Sequence, residues 1–289
     1  MDKIVPAPFG KWLILRRLCQ FGILALFLAS PWLGVWLLKG NLASSLVLER
    51  LPLTDPFIAL QSLAAGHDLA ATAVLGALIV AGFYLLVGGR AYCAWVCPIN
   101  PVTDAAAALR RAFGLRATWK LRRQTRYWIA AAVVVASAVT GTIAWEVINP
   151  ITMLHRGLVF GMGAAWVVVL AIFLFDLFAA KHGWCGHLCP VGAFYGVLGS
   201  ASLLRVSAVR RDACTHCGDC FHICPEPQVI NPALYGGASG VSPVITDRDC
   251  INCGRCLDVC GEDVFQFTTR FGAGHAPSSK QKNERANQK

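Results

Sequence analysis

Residues 214–225 read CTHCGDCFHICP, and residues 250–260 read CINCGRCLDVC. Both runs have the spacing C-x2-C-x2-C-x3-C, which is typical of a chain that wraps around [4Fe–4S] clusters. In such a pair of runs, three cysteines bind one cluster and the fourth binds the neighbouring cluster. The spacing therefore predicts a two-cluster, ferredoxin-like α+β domain over residues 213–272.

The crossed pattern assigns four ligands to each cluster. We expect the first cluster to bind Cys214, Cys217, Cys220 and Cys260. We expect the second cluster to bind Cys250, Cys253, Cys256 and Cys224. Zinc sites normally use two separated C-x2-C knuckles, so the doubled spacing argues against zinc. Gly261 follows the last cysteine where a proline is usual, but proline supplies no ligand and the cluster should still form.

The rest of the chain has the composition of a membrane protein. Of its 289 residues, 56% are apolar and only 15% are charged, well below the roughly 25% charged residues of a soluble protein. A helix needs about 20 apolar residues to cross a bilayer core, and four stretches qualify: 19–38, 69–89, 127–147 and 158–180. We expect a four-helix membrane domain over 19–190, arranged as two tandem helix pairs, then a linker over 191–212.

Lysine and arginine predict the orientation, because short cytoplasmic loops carry an excess of both. The loop between the second and third spans carries Arg90, Arg110, Arg111, Arg116, Lys120, Arg122, Arg123 and Arg126. The other two loops carry only Lys39, Arg50 and Arg156. Residues 1–18, the ferredoxin-like domain and a disordered basic tail over 273–289 are therefore expected in the cytoplasm. This topology explains the net charge of +10, and we expect no nucleic-acid partner.

Each predicted helix pair ends in the motif Cys-x3-Cys-Pro, once at Cys93 and Cys97 and once at Cys185 and Cys189. Residues four apart share one helix face, so the four thiolates could converge on one metal or cluster if the repeats pack side by side. A thiol–disulfide couple is a second interpretation, although a cytoplasmic location disfavours a stable disulfide. Ordinary buried cysteines are a third, and the sequence leaves the ligand open.

Four ionisable residues are candidates for a proton path, since such groups are expensive within a membrane. Glu146 ends the third span and Asp176 lies late in the fourth. His187 lies inside the second Cys-x3-Cys-Pro motif and His182 just before it. The alternatives to a proton path are that the two carboxylates are simply solvated at helix ends and that the two histidines simply lie at the membrane interface. The predicted spans contain no histidine, so we expect no haem held between helices.

Together, the four spans, the paired Cys-x3-Cys-Pro motifs and the two cysteine runs resemble the NapH family, the membrane ferredoxin-type subunit of periplasmic nitrate reductase systems. The resemblance covers nearly the whole chain. It implies a quinol dehydrogenase component of the bacterial inner membrane. In that role electrons leave the quinol pool for a partner ferredoxin and a membrane-anchored c-type cytochrome, and then reach the nitrate reductase.

Three alternatives stay open. Related membrane polyferredoxins assist oxidase or metal-centre assembly and usually carry a further C-terminal domain, and redox regulators of nitrous-oxide respiration carry a large N-terminal one; we expect neither domain here. The third alternative is a non-catalytic anchor whose clusters only stabilise the fold. How electrons from cytoplasmic clusters return to a periplasmic acceptor does not follow from the sequence.

Overall fold

The computed structural model describes residues 10–34, 37–115, 119, 121–161 and 163–272, without the side chains of 30–32 and 164. The predicted basic tail lies outside these residues. The helices are α1 Lys11–Leu33, α2 Pro56–Ala64, α3 Ala71–Val87, α4 Ala91–Trp95, α5 Ile99–Ala112, α6 Thr125–Thr140, α7 Pro150–Phe160, α8 Gly163–Leu174, α9 Pro190–Gly199, α10 Asp219–Ile223, α11 Ile230–Tyr235 and α12 Arg255–Val259. The strands are β1 Leu38–Gly40, β2 Ser44–Val47, β3 Leu51–Thr54, β4 Leu204–Ser207 and β5 Gln266–Thr269.

Short helical turns complete the secondary structure. They are the 3₁₀ turns Ala144–Val147, Arg211–Ala213 and Pro227–Val229, and the π-helical turns Phe175–Ala179 and Trp184–Leu188. Each of the four predicted spans contains an apolar helix. Within the described residues, the segment Lys11–Ala29 of α1 is long and apolar enough to cross a membrane. The shorter apolar helices are Ala71–Val87, Thr125–Thr140, Ala165–Ala179 and Pro190–Gly199.

Two predicted spans end differently in the structure. Residues 158–180 were expected to form one helix, but Gly161 ends α7 with a left-handed backbone at φ +69° and α8 begins anew. A glycine in this conformation is a common helix terminator, because it lacks the Cβ that would clash. Residues 38–54, expected as a loop, form an antiparallel sheet in the order β1-β2-β3. Residue 38 therefore belongs to a strand and not to the first helix.

A repeated helix start relates the two halves of the helical region. Asp55 caps α2 by accepting the N–H of Phe57 at 2.9 Å, and Asn149 caps α7 by accepting the N–H of Ile151 at 3.1 Å. A proline follows each cap at the first helical position, where its missing N–H is not needed. Because Phe57 and Ile151 are buried, both short helices begin inside the protein.

The segment predicted as a linker is largely structured. The helix α9 is buried in the helical core, with Tyr195 only 1% exposed. Its glycines allow a close approach: a Cβ on Gly199 would lie 2.8 Å from the backbone nitrogen of Gly89. The strand β4 then pairs antiparallel with β5. The ferredoxin-like domain thus begins at β4, nine residues before its predicted start at 213, and packs directly on the helices.

Candidate metal centres

The second predicted ligand set comes together in the structure. Its four cysteines line one small cavity, walled mainly by apolar side chains. We call Cys250, Cys253, Cys256 and Cys224 ferredoxin set 2. Cys224 comes from the other run of the sequence, so the chain crosses between the two sites as the spacing indicates.

The cysteines of the first predicted ligand set also lie near one another. Burial and the neighbouring sulfurs of Cys217, Cys214 and Cys260 raise the pKa of Cys220 to about 12. We call these four cysteines ferredoxin set 1. Thiols held together in this way bind a metal only after losing their protons, so cluster binding is coupled to proton release.

The same turn shapes both runs. Gly218 precedes α10 with φ +83°, and Gly254 precedes α12 with φ +72°. Only glycine adopts these angles without strain. The same backbone turn therefore precedes the third cysteine of each run, Cys220 and Cys256.

A third group of cysteines also shares one site. Cys93, Cys97, Cys185 and Cys189, which we call the helical set, line one small cavity together with Tyr92 and Trp184. Cys93 lies on α4 and Cys185 on the π-helical turn Trp184–Leu188. The two tandem repeats therefore pack so that both Cys-x3-Cys-Pro motifs meet.

The candidate proton carriers have structural partners. Asp176 is fully buried and accepts the N–H of Trp184 at 2.9 Å, which fixes the turn that bears Cys185. Glu146 accepts from Nδ2 of Asn149 at 2.8 Å and supports the cap of α7. Burial, followed by the charge of Arg255, lowers the pKa of His182 to about 3, so His182 is neutral at pH 7. Burial also lowers the pKa of the half-buried His187.

An ion network that sequence reasoning missed joins the two halves. Arg90 and Arg126, both on the helical half, bind Oε1 of Glu226 through their Nη1 atoms at 2.9 and 3.2 Å. Arg126 also pairs with Asp249. Burial raises the pKa of Glu226, but the charges of Arg90 and Arg126 outweigh it and bring the pKa down to about 2. We call these four residues the interface network.

The network reaches both the helical set and ferredoxin set 2. Nη2 of Arg90 donates to the carbonyl of Cys185 at 3.1 Å, and Nη1 donates to the carbonyl of Asp249 at 2.7 Å. Asp249 immediately precedes Cys250. One buried arginine thus contacts backbone beside a cysteine of each set.

A second charged contact lies on the other side of ferredoxin set 2. Asp104 of α5 pairs with Arg255 and with Arg17 of α1. Arg16 is fully buried, and its guanidinium has no hydrogen-bond partner among the described residues. Its attractive neighbours are Asp104 and Cys253. Arg16 forms an ion pair with Asp104 at 3.7 Å, and an anionic, thiolate-bound cluster at Cys253 would be a second fitting partner for its charge.

Beside these sites, α1 and α3 border an apolar cavity of about 500 Å³. It is lined by Trp12, Cys19, Ile23, Phe83, Tyr84, Val87, Ala91, Trp95, Val96, Leu204, Asn252 and Phe267. Asn252 lies between Cys250 and Cys253, and it is held by hydrogen bonds from Nδ2 to the carbonyls of Val87 and Leu204 at 3.1 and 2.9 Å. The cavity therefore lies between the apolar helices and the loop of ferredoxin set 2.

The fold and the cysteine sets define an iron–sulfur protein of the ferredoxin type. A family model described as a 4Fe-4S dicluster domain matches residues 207–261. A second model, described as a 4Fe-4S binding domain, matches twice, at residues 69–116 and 159–208. The double match covers one Cys-x3-Cys-Pro motif each time and agrees with the tandem repeat.

The chain is 52% identical to the ferredoxin-type protein NapH of Escherichia coli (strain K12), over 91% of both chains. It is 55% identical to the methylamine utilization ferredoxin-type protein MauN of Methylorubrum extorquens and 54% identical to MauN of Paracoccus denitrificans, each over 90% of this chain. The chain belongs to the NapH family of ferredoxin-type proteins, which confirms the resemblance seen in the sequence. No solved structure matches it significantly.

Proposed function

We propose that this chain is a membrane-bound electron-transfer subunit that oxidises quinol, with two [4Fe–4S] clusters held by ferredoxin sets 1 and 2. The observation that carries the proposal is the apolar cavity between α1 and α3, whose wall includes Asn252 of the cluster-binding loop. Small-molecule sites are typically apolar cavities with a few polar groups. A quinol, with an apolar body and two hydroxyl groups, suits this lining.

Two indoles give the cavity its polar edge. Nε1 of Trp95 donates to the carbonyl of Asn252 at 3.0 Å, which ties α4 to the ferredoxin-like domain. The indole N–H of Trp12 is buried without a partner in the described part of the chain. It is therefore a candidate donor to a quinol oxygen.

The membrane setting is supported by apolar surface that faces outward. Leu18, Leu78, Val139 and Val167 are 65%, 65%, 81% and 67% exposed, one on each of α1, α3, α6 and α8. Only 17% of the apolar window in α1 is buried inside the protein. Four spans with both termini in the cytoplasm account for these exposed side chains and for the loop charges. Reporter fusions at the C-terminus and within residues 41–43 test this orientation.

The electron and proton balance is simple. Oxidation of one quinol to quinone releases two electrons and two protons. Ferredoxin sets 1 and 2 would hold two [4Fe–4S] clusters, which would supply one-electron carriers for the two electrons of one quinol. None of Glu146, Asp176, His182 and His187 lines the cavity. We therefore assign both protons to water at the cytoplasmic rim near Trp12 and not to these residues.

An anaerobic titration tests the proposal. The purified protein in detergent is mixed with a reduced, soluble quinol analogue, and the reduced clusters are followed by electron paramagnetic resonance. We expect signals with quinol that match part or all of those seen with dithionite. The contrary result is that dithionite reduces the clusters and quinol does not, even after a membrane fraction with the partner subunits is added. That result would favour a non-catalytic anchor.

For the acceptor, we propose the route of the resembled NapH systems, in which a partner ferredoxin and a membrane-anchored c-type cytochrome lead to a periplasmic nitrate reductase. The high identity to MauN favours a second candidate, electron transfer in methylamine utilization. A deletion strain separates the two. Loss of nitrate-dependent anaerobic growth supports the first route, and loss of growth on methylamine supports the second.

A further inference from the structure

We propose that a pocket between α1, α5 and α12 binds a phosphate-bearing anion. None of the cysteines of the three sets lines this pocket, and it is a different cavity from the one assigned to quinol. Its volume is about 310 Å³, at the small end of ligand pockets, which span about 300–1,000 Å³. A space of this size suits a phosphate ion or a phosphate headgroup.

Positive charge is in excess in the lining of the pocket. Its charged residues are four arginines and two aspartates: Arg16, Arg17, Arg111, Arg255, Asp104 and Asp258. Both oxygens of Asp258 already accept backbone N–H groups at the start of α1, from Trp12 at 3.2 Å and from Leu13 at 3.0 Å. Asp104 is shared by three of the arginines, all but Arg111. One carboxylate does not neutralise three guanidinium groups, so the pocket attracts an anion.

Two buried side chains of the lining have polar atoms without a hydrogen-bond partner among the described residues. Arg16 is 0% exposed, and none of its three guanidinium nitrogens has such a partner. Its ion pair with Asp104, at 3.7 Å, is too long for a hydrogen bond. His182 is 3% exposed, and its Nε2 also has no partner. Because buried polar groups are normally hydrogen-bonded, these atoms indicate a ligand in the pocket.

The donor set favours phosphate over other anions. Arg255 is close enough to Arg16 and Arg111 for its charge to act on both, so guanidinium groups from three helices meet here. A phosphate offers more oxygens than a carboxylate and can accept from donors that approach from several directions. Apart from His182, the described lining residues include no aromatic ring on which a nucleobase would stack.

Two sources of phosphate fit the position of the pocket. Basic pockets between membrane helices on the cytoplasmic side bind the headgroups of anionic lipids. Phe21 lies four residues after Arg17, on the same face of α1, and is 56% exposed. The acyl chains of a lipid would lie along this apolar face, whereas a free phosphate would use the guanidinium groups alone. The two sources therefore differ in whether acyl chains add affinity.

A bound anion would join α1 to the loops of ferredoxin set 2. Ile223 and Arg255 line the pocket, and they immediately precede Cys224 and Cys256 in the sequence. Arg16 and Arg17 lie on α1, and Arg111 lies on α5. A ligand that binds these arginines together stabilises the folded protein. This role needs no electron donor, so it is independent of quinol oxidation.

Calorimetric titration of the full chain in neutral detergent, purified without oxygen, measures the binding. The probes are inorganic phosphate and a short-chain phosphatidylglycerol, with short-chain phosphatidylcholine as the zwitterionic control. We expect saturable binding of an anionic probe, and binding of phosphatidylcholine that is weaker by about tenfold or more. Tighter binding of phosphatidylglycerol than of phosphate would identify a lipid headgroup, and equal affinities would identify free phosphate. Equal affinities for phosphatidylglycerol and phosphatidylcholine would overturn the proposal.

Arg111→Gln should weaken binding of the anionic probe by about tenfold or more, because it removes a charged hydrogen-bond donor. Arg122→Gln is the matched control: Arg122 is exposed and lies in the same basic region, but it does not line the pocket. It should bind like the unaltered protein. Equal affinities of all three proteins would overturn the proposal, as would the lack of saturable binding by the unaltered protein.

A second variant decides the case if Arg111→Gln does not fold. Ala105 lines the pocket at an exposed position of α5. Ala105→Trp should fill the pocket and abolish binding while every charge is kept. Unchanged affinity in Ala105→Trp would show that the anion binds elsewhere and would overturn the proposal.

Discussion

Arg90 of the helical half lies 2.9 Å from Glu226 of the ferredoxin-like domain, measured from Nη1 to Oε1, and both side chains are 2% exposed. Arg126 binds the same oxygen, so one carboxylate forms ion pairs with two buried arginines. The contact joins residues 136 positions apart in the chain. It fixes the cluster-binding domain against the helices, which sets the distances between the cysteine sets.

Glu226→Gln tests this contact. Removing one member of a buried ion pair leaves an uncompensated charge and typically costs about 3–5 kcal/mol. We expect a large drop in the thermal midpoint of the protein in detergent, together with earlier loss of cluster absorbance on heating. Arg123→Gln is the control, because Arg123 pairs with Oε2 of Glu226 at 2.9 Å but is 37% exposed. Its loss should cost less than about 1 kcal/mol, and equal effects of the two substitutions would contradict the prediction.

The cap of α2 should make stability depend on pH. Burial raises the pKa of Asp55 from its ordinary 3.8 to about 6. The folded protein then holds a proton that the unfolded chain releases, so the free energy of unfolding falls as the pH rises from about 4 to 6 and is level above. The shift corresponds to roughly 3 kcal/mol.

Asp55→Asn should remove this pH dependence and stabilise the protein at neutral pH. The amide keeps the cap, as Asn149 does at the equivalent start of α7. Thermal unfolding between about pH 4 and 8 measures the slope below pH 6 and the level region above it. Asn149→Asp is the reciprocal control and should introduce a new dependence near Glu146. An unchanged slope in Asp55→Asn would assign the dependence to other groups.

The sequence indicated which cysteines come together in the fold, because the spacing of these residues along the chain is itself the signal. The spacing indicated that Cys224 joins the site formed by the second run. One of its interpretations was that Cys93 and Cys185 come together. It did not indicate the partners of Glu226, because charge pairs distant in sequence leave no local pattern. In the fold, Glu226 anchors the domain through Arg90 and Arg126.

Features of the local sequence explain why some structural elements were not predicted. The strands β1, β2 and β3 have only three or four residues each, too short for a clear alternating pattern. The glycines of α9 resemble a flexible linker in sequence, yet they serve close packing against Gly89. Gly161 interrupts an otherwise continuous apolar run, which hydropathy alone does not detect.

The packing of α9 gives a further prediction. A Cβ on Gly89 would overlap the carbonyl oxygen of Tyr195 and the backbone nitrogen of Gly199. Gly89→Ala should push α9 outward and cost about 1–3 kcal/mol, which lowers the thermal midpoint of the protein in detergent. Gly82→Ala is the control because a Cβ there meets no atom within 4 Å. It should be neutral or raise the thermal midpoint, and an equal fall of the midpoint in both variants would contradict the close-packing argument.

The cavity between α1 and α3 makes a prediction about rate. Ile23 lines the cavity, whereas Leu26, three residues on along α1, does not and is 40% exposed. Ile23→Trp should fill part of the cavity and slow cluster reduction by quinol at least tenfold, while dithionite reduction stays unchanged. Leu26→Trp should behave like the unaltered protein. Equal rates in all three proteins would place the quinol elsewhere.

The most direct test of the account is the anaerobic reduction of the clusters by quinol, followed in time by stopped-flow absorbance in lipid nanodiscs. The account predicts that the unaltered protein loses cluster absorbance on mixing with quinol, as it does with dithionite. Clusters that dithionite reduces and quinol leaves oxidised, with partner subunits present, would contradict quinol oxidation by this chain.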